Sequence, residues 1–284
     1  RESYVRNMGD VRMALLFEGI LYKKNPKRFE QIREIAAGFS EYYIGQNIIQ
    51  DDIFNMIENY VRTENMPLEW LRFPIRDPEL CACTFIRSGR IFVMVNSGIP
   101  MSKQIFAAAH ELYHIRCFLE EDDLELAKSG SILNASTIET GTTEEEEMEA
   151  NAFAGILLVP VNALKQQMGI YQIKEKAIEM KDILTLMDIF AVPYKAMILR
   201  LLEEKMISDD RAREMIDIPF SEIQKIMKVT GKAKRWDMIP SGYEKFGSLL
   251  ENLTINTEQE VLPKSRLESD WKELDRIKQL YGIK

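Results

Sequence analysis

Apolar positions recur at helical spacing through residues 4–22, with Val5, Met8, Val11, Leu15, Leu16 and Ile20 on one stripe, until Lys23-Lys24-Asn25-Pro26 interrupts them. A second helix is expected over residues 26–39. A third is expected over 47–61, where Ile53, Ile57 and Val61 share a face and Asp51-Asp52 sit near the positive end of the helix dipole. Next comes a strong strand signal. Leu80-Cys-Ala-Cys-Thr-Phe-Ile and Arg90-Ile-Phe-Val-Met-Val-Asn flank Ser88-Gly89, which predicts an antiparallel hairpin closed by a tight turn; residues 68–73 read as a further strand before Pro74. A hairpin of this size needs a helix on its apolar face to be stable. The next stretch supplies one: Ser97-Gly-Ile-Pro100 ends the sheet, Ser102 is placed to cap a helix, and Ala107, Ala108 and Ala109 let that helix approach its neighbours closely.

Residues 119–141 are polar and irregular, and read as a loop with at most a short helix, forming a cleft wall. Thr142 or Thr143, with Glu145 or Glu146 three residues on, carries the signature of a capping box, and Val159-Pro160 closes the helix that follows. Downstream, residues 183–190, Ala191-Val-Pro193 and residues 194–205 pattern as helix, short turn, helix. Three more helical stretches, 209–215, 221–229 and 268–281, are joined by polar links such as Lys232-Ala-Lys-Arg235. The expected fold class is α+β: mostly helical, with a small antiparallel sheet packed on the helix that follows Pro100, and a C-terminal helical region.

Composition narrows the function. Apolar residues are 46% and charged residues 29% of the 284, which is ordinary for a globular chain. The net charge of −8 argues against a dominant nucleic-acid surface, which requires clustered Lys and Arg. No apolar run approaches the roughly 18 residues of a membrane span, and no signal-peptide pattern opens the chain. A first residue of Arg reads as a trimmed or partial chain. Cys81, Cys83 and Cys117 do not look like a disulfide framework. Cys81 and Cys83 would share one strand face as small apolar residues, and a reduced, cytoplasmic setting is expected.

The two histidines of the chain, His110 and His114, stand four apart with Glu111 behind the first. On a helix they lie one turn apart on one face, where two imidazoles can bind one Zn²⁺ at about 2.0–2.1 Å. Glu111 is then placed to act on a water in the open coordination position. The plain alternative is an amphipathic helix with two incidental histidines, so a second element must decide. A third protein ligand is needed, and a carboxylate from another helix would complete a catalytic set. Most acids of Glu144-Glu145-Glu146-Glu147-Met148-Glu149 suit capping and solubility, but those on the inward face, continuous with Ala154 and Leu158, are costly to bury unless paired or metal-bound.

His110-Glu-Leu-Tyr-His114, followed by Glu147-Met-Glu-Ala-Asn-Ala-Phe-Ala154 and Leu157-Leu-Val-Pro160, resembles the ImmA/IrrE-type metallopeptidases, as does Ile91-Phe-Val-Met-Val-Asn96 before Phe106-Ala-Ala-Ala-His110. The resemblance covers roughly residues 49–160 and extends more weakly to 202. It implies His110 and His114 as zinc ligands, Glu111 as general base, Glu147 as third ligand, and Asn151 as a hydrogen-bond partner behind the ligands. Glu149, about 200° round the helix from Glu147, is the other candidate third ligand. Tyr113 departs from the glycine common in the family and is expected to pack, with an oxyanion role for its hydroxyl the alternative.

The expected organisation is an N-terminal helical segment (1–46), a zinc metallopeptidase domain (47–170), a helix-turn-helix-like segment (171–208) and a C-terminal helical region (209–284). The expected activity is a zinc-dependent endopeptidase whose sheet edge pairs with an extended substrate. By resemblance, the substrate is a helix-turn-helix repressor, cleaved to relieve repression in mobile elements or under stress. The alternatives are a non-catalytic zinc-scaffold module that binds a repressor, and a DNA-binding regulator using residues 184–205. For the latter, Glu203 and Glu204 beside Lys195 and Arg200 make a poor phosphate-contacting face.

Overall fold

A computed structural model of the protein describes residues 16–39, 48–65, 68–87, 90–119, 131–175, 177–232 and 245–281. After a single turn at Leu21–Lys24, the helices are α1 (Pro26–Gly38), α2 (Ile53–Thr63), α3 (Met101–Leu119), α4 (Ala135–Thr140), α5 (Glu145–Leu158), α6 (Val161–Ile170), α7 (Met180–Phe190), α8 (Tyr194–Glu203), α9 (Asp209–Ile216), α10 (Phe220–Thr230), α11 (Leu249–Glu258) and α12 (Lys264–Tyr281). The strands are β1 (Leu68–Phe73), β2 (Leu80–Arg87), β3 (Arg90–Asn96), β4 (Ser131–Asn134) and β5 (Lys245–Phe246). The fold is α+β, and one sheet of order β4-β2-β3-β1-β5 holds all five strands.

β2 and β3 form the expected antiparallel hairpin, with Arg87 opposite Arg90; the turn at Ser88-Gly89 lies outside the described residues, as does most of the first expected helix. The sheet as a whole is mixed rather than antiparallel. β1 runs parallel to β3, because the chain leaving β1 crosses the end of β3 before entering β2. That crossing is fixed by Asn96, which is fully buried. Its Oδ1 accepts from the backbone N–H of Ile75 and of Gly98, both at 2.8 Å, and its Nδ2 donates to the carbonyls of Asp77 and Leu80 at 3.0 and 2.9 Å. Gly98 permits the close approach, since a Cβ there would stand 3.0 Å from Asn96 Oδ1 and 3.1 Å from the Ile75 carbonyl.

Residues 131–140, expected within a loop, contain β4 and α4; residues 120–130 lie outside the described set. β4 forms because Ser131 and Leu133 fill the inner face of β2's free edge while Ile132 faces solvent. One row across the inner face reads Ser131, Thr84, Val93, Trp70; a row on the other face reads Ile132, Cys83, Met94, Leu71, Phe246. A register shift between Leu80 and Ala82 breaks the alternation, so Cys81 is buried in the main core and does not share a face with Cys83.

α3 lies across the inner face with Ala107, Ala108 and Ala109 fully buried, and α5 is its main helical neighbour. Ser102 is the second residue of α3 rather than its cap; the Pro100 carbonyl accepts from the N–H groups of Lys103 and Gln104 instead. The main core runs from Leu16 to Met227, and α8 is part of it, with eight of its ten residues buried. Arg200, 2% exposed, pairs with Glu203 at 2.6 Å and Glu204 at 2.8 Å and donates to the Val159 carbonyl. Of the ten residues of α8 only Lys195 and Leu199 are not buried. On the outer face of the sheet, α11 and α12 supply Leu253, Leu274 and Trp271 to a second, smaller core with Phe73, Ile75 and Phe246. The short strand β5, and the helices α6 and α11, were not expected from the sequence pattern.

Asn96→Ala would leave two N–H groups and two carbonyls without their partner, and is expected to cost about 3 kcal/mol. The check is a lower urea midpoint at unchanged slope. A change below about 1 kcal/mol would show that Asn96 does not hold the crossing.

Candidate metal centre

His110 and His114 project from one face of α3 towards the first turn of α5, and their Nε2 atoms lie 3.2 Å apart. Glu147, the third residue of α5, meets both: its Oε2 is 3.2 Å from His110 Nε2 and its Oε1 is 3.3 Å from His114 Nε2. Donors around a tetrahedral ion with bonds of about 2.0–2.1 Å stand about 3.3–3.4 Å apart, so the triangle has the size such an ion needs. Among the described residues this is the one group of three such side chains close enough to share a metal ion.

The ring orientations are set from behind. His110 Nδ1 faces Asn151 Oδ1 at 3.0 Å, and His114 Nδ1 faces Glu146 Oε1 at 3.1 Å. With an acceptor at each Nδ1, that nitrogen carries the hydrogen and Nε2 turns a lone pair inward. Three electron-pair donors thus converge where the rings are at most 1% exposed. Such a cluster requires a positive charge among its members. In the metal-free protein a proton on His114 meets the need: burial works against it, but hydrogen bonds with Glu146 and Glu147 and the charges of Glu111 and Glu147 push His114 up to about 9. Burial would raise Glu147, yet its contacts with the imidazoles of His110 and His114 hold it well below the usual carboxylate range. The α5 N-terminus further favours the anion.

Glu111 is fully buried against the sheet. Its Oε2 accepts from Thr84 Oγ1 at 2.5 Å and Ser131 Oγ at 2.8 Å, two hydroxyls side by side in the inner row of β2 and β4. Its Oε1, like Glu147 Oε2, is buried with no hydrogen-bond donor among the described residues. Buried acceptors of this kind are costly unless a cation or a water serves them, so the residues present fit a bound metal with a solvent ligand. Solvent reaches the cluster past the side chains of Glu147, 14% exposed, and Glu146, 61% exposed. Cys83, beneath this site, is pushed up to about 11 by burial and by the charge of Glu111, which leaves it a thiol and a poor ligand.

All five residues singled out in the sequence therefore lie together, and Glu149 does not join them. Its carboxylate takes Arg28 Nε at 2.6 Å and Nη2 at 2.7 Å and the hydroxyl of Tyr113 instead. The hydroxyl of Tyr113 is thus committed to Glu149, and its ring is buried against Phe153 and His114. Nor does the expected capping box form: α5 starts at Glu145 with no side-chain cap, and Glu146 goes to His114. Sequence reasoning missed Thr84, Ser131, Glu146 and Arg28. Thr84 alone left a trace, as a polar residue among the inward positions of β2.

A search of curated proteins returns no match to the chain. The sequence profile of a peptidase family, M78, described as the IrrE N-terminal-like domain, matches residues 60–202, from the end of α2 through α8. That span is half of the chain and holds His110, Glu111, His114, Glu147 and Asn151. The chain therefore belongs to the M78 peptidase family, with an IrrE N-terminal-like domain.

Proposed function

We propose that the protein is a zinc-dependent endopeptidase. The observation that carries this is the triangle of His110 Nε2, His114 Nε2 and Glu147, with both Nδ1 atoms turned to acceptors and Glu111 Oε1 without a donor beside it. Two imidazoles and one carboxylate are the donor set of catalytic zinc, which when bound acts as a Lewis acid on a carbonyl and acidifies a water. His110, His114 and Glu147 would hold the ion. Glu111, pinned through Oε2 by Thr84 and Ser131, presents Oε1 as the base. It takes the proton of the water that attacks the peptide carbonyl and delivers it to the departing nitrogen. β4 is an edge strand that carries Ser131, so an extended substrate backbone added to its free edge would run beside Glu111. Following the family resemblance, the substrate is a helix-turn-helix repressor, and cleavage relieves repression.

Near-complete burial of His110, Glu111 and His114 favours, as a second reading, a zinc scaffold that binds a repressor without cutting it. Incubation with candidate helix-turn-helix repressors, with and without chelator and with products read by mass, separates the two: tight metal uptake without hydrolysis supports the scaffold.

Glu111→Gln is expected to keep the metal and lose at least about 100-fold in cleavage rate, whereas His114→Ala loses both metal and cleavage; full activity in Glu111→Gln would falsify the assigned base. Metal uptake must also displace the proton from His114, whose titration is moved from 6.5 to about 9. Affinity should therefore rise by about tenfold per pH unit up to pH 9 and level off above it, with about one proton released per metal bound. Calorimetry in buffers of different ionisation enthalpy measures that proton count.

A further inference from the structure

Outside the triangle, the most fully connected polar group near the site is Arg28, Glu149 and Tyr113. The Arg28 guanidinium comes from α1, outside the span matched by the family profile, and grips both oxygens of Glu149 on α5, while the hydroxyl of Tyr113 on α3 bonds one of the same oxygens. Arg28 Nη2 also donates to that hydroxyl at 3.3 Å. The three helices that meet here are therefore joined through a single carboxylate.

Its place matters more than its existence. Tyr113 precedes His114 on α3, and Glu149 follows Glu147 by two residues on α5, so on both helices the group lies within two residues of the facing His114–Glu147 pair. The Tyr113 ring lies edge-on to the His114 imidazole, with centroids 5.9 Å apart and planes at 74°. Its other neighbour is Phe153, 5.6 Å away on α5. Sliding or rotating α5 against α3 would break the Tyr113–Glu149 bond and spread the Glu147–His114 pair together.

From this geometry we infer that Arg28, Glu149 and Tyr113 are positioning residues for the metal centre, fixing the spacing and rotation at which Glu147 meets the two imidazoles, so that metal retention depends on the N-terminal helix. The inference rests on the metal-centre reading proposed above. It differs from a general docking role for α1 in a measurable way. Arg33, on the same helix, pairs with Glu204 at 3.0 Å and also fastens α1 to the body, but it does so at α8, away from the ligands.

The test uses the full chain. Zn²⁺ affinity is measured by competition with a chelating dye, and the visible absorption of bound Co²⁺ reports the coordination geometry. Tyr113→Phe and Arg28→Met should each weaken Zn²⁺ binding by about tenfold and shift the Co²⁺ spectrum. The double variant should lose far less than the product of the two, because both act through Glu149. Arg28→Lys, which keeps the charge without the two-pronged grip, should fall between wild type and Arg28→Met, and it preserves the test if the methionine variant folds poorly. Arg33→Met should lower thermal stability without altering affinity. Tyr113→Phe, Arg28→Met and Arg28→Lys binding within twofold of wild type would overturn the inference and leave the metal centre standing. So would a loss in Arg33→Met equal to that in Arg28→Met. A wild-type chain that binds neither Zn²⁺ nor Co²⁺ would overturn the metal centre itself, and the positioning role with it.

Discussion

Mutual repulsion among three converging lone pairs is the constraint on which this structure turns. Two ring nitrogens and a carboxylate held 3.2–3.3 Å apart, with both rings buried, are tolerable only around a positive charge. Every neighbouring group either holds the donors in that posture or lessens its cost. Asn151 and Glu146 fix which nitrogen of each ring points inward. Placing Glu147 in the first turn of α5 sets its charge against the positive end of the helix. In the proposed metal centre a proton on His114 and a divalent cation would compete for one role.

The parts of this arrangement that obey a local period were legible in the sequence. His110, Glu111 and His114 follow from one helical turn, and the β2–β3 hairpin from two short apolar runs on either side of Ser88-Gly89. What escaped depends on pairing between distant segments. Four residues of β4 carry too little alternation to stand out from a polar stretch, yet β4 supplies Ser131, half of the support for Glu111. Glu146 had a complete local explanation as a capping acid, and only the position of His114 on a different helix shows its actual partner. Arg28 lies more than a hundred residues from Glu149 in a helix with no chemical signature of its own. The two residues of β5 are too few to show any pattern at all.

Burial on both faces gives the sheet a part in the chemistry. α3 covers one face and α11 with α12 covers much of the other, while β5 pairs with Leu71 and Arg72 on the β1 edge. β4, the terminal strand at the other margin, carries Ser131. A sheet packed on both faces is a rigid mount, and the row Ser131, Thr84, Val93, Trp70 links the strands that hold one oxygen of Glu111. The C-terminal helices thereby support a residue they do not touch.

Two supports of different kind thus converge on α3. The helix itself fixes His110, Glu111 and His114 relative to one another through covalent geometry, so only two adjustments remain: that of the sheet, which orients Glu111, and that of α5, which brings Glu147. The first is set by a hydrogen-bonded ladder and by hydroxyls in adjacent strands, and cannot slip without moving an entire strand by two residues. The second is set by side chains alone, across a helix–helix contact with no hydrogen-bonded ladder to fix its register. A joint of that kind needs an added polar lock if the ligands are to stay within bonding distance. Arg28, Glu149 and Tyr113 occupy the place where such a lock has the greatest leverage.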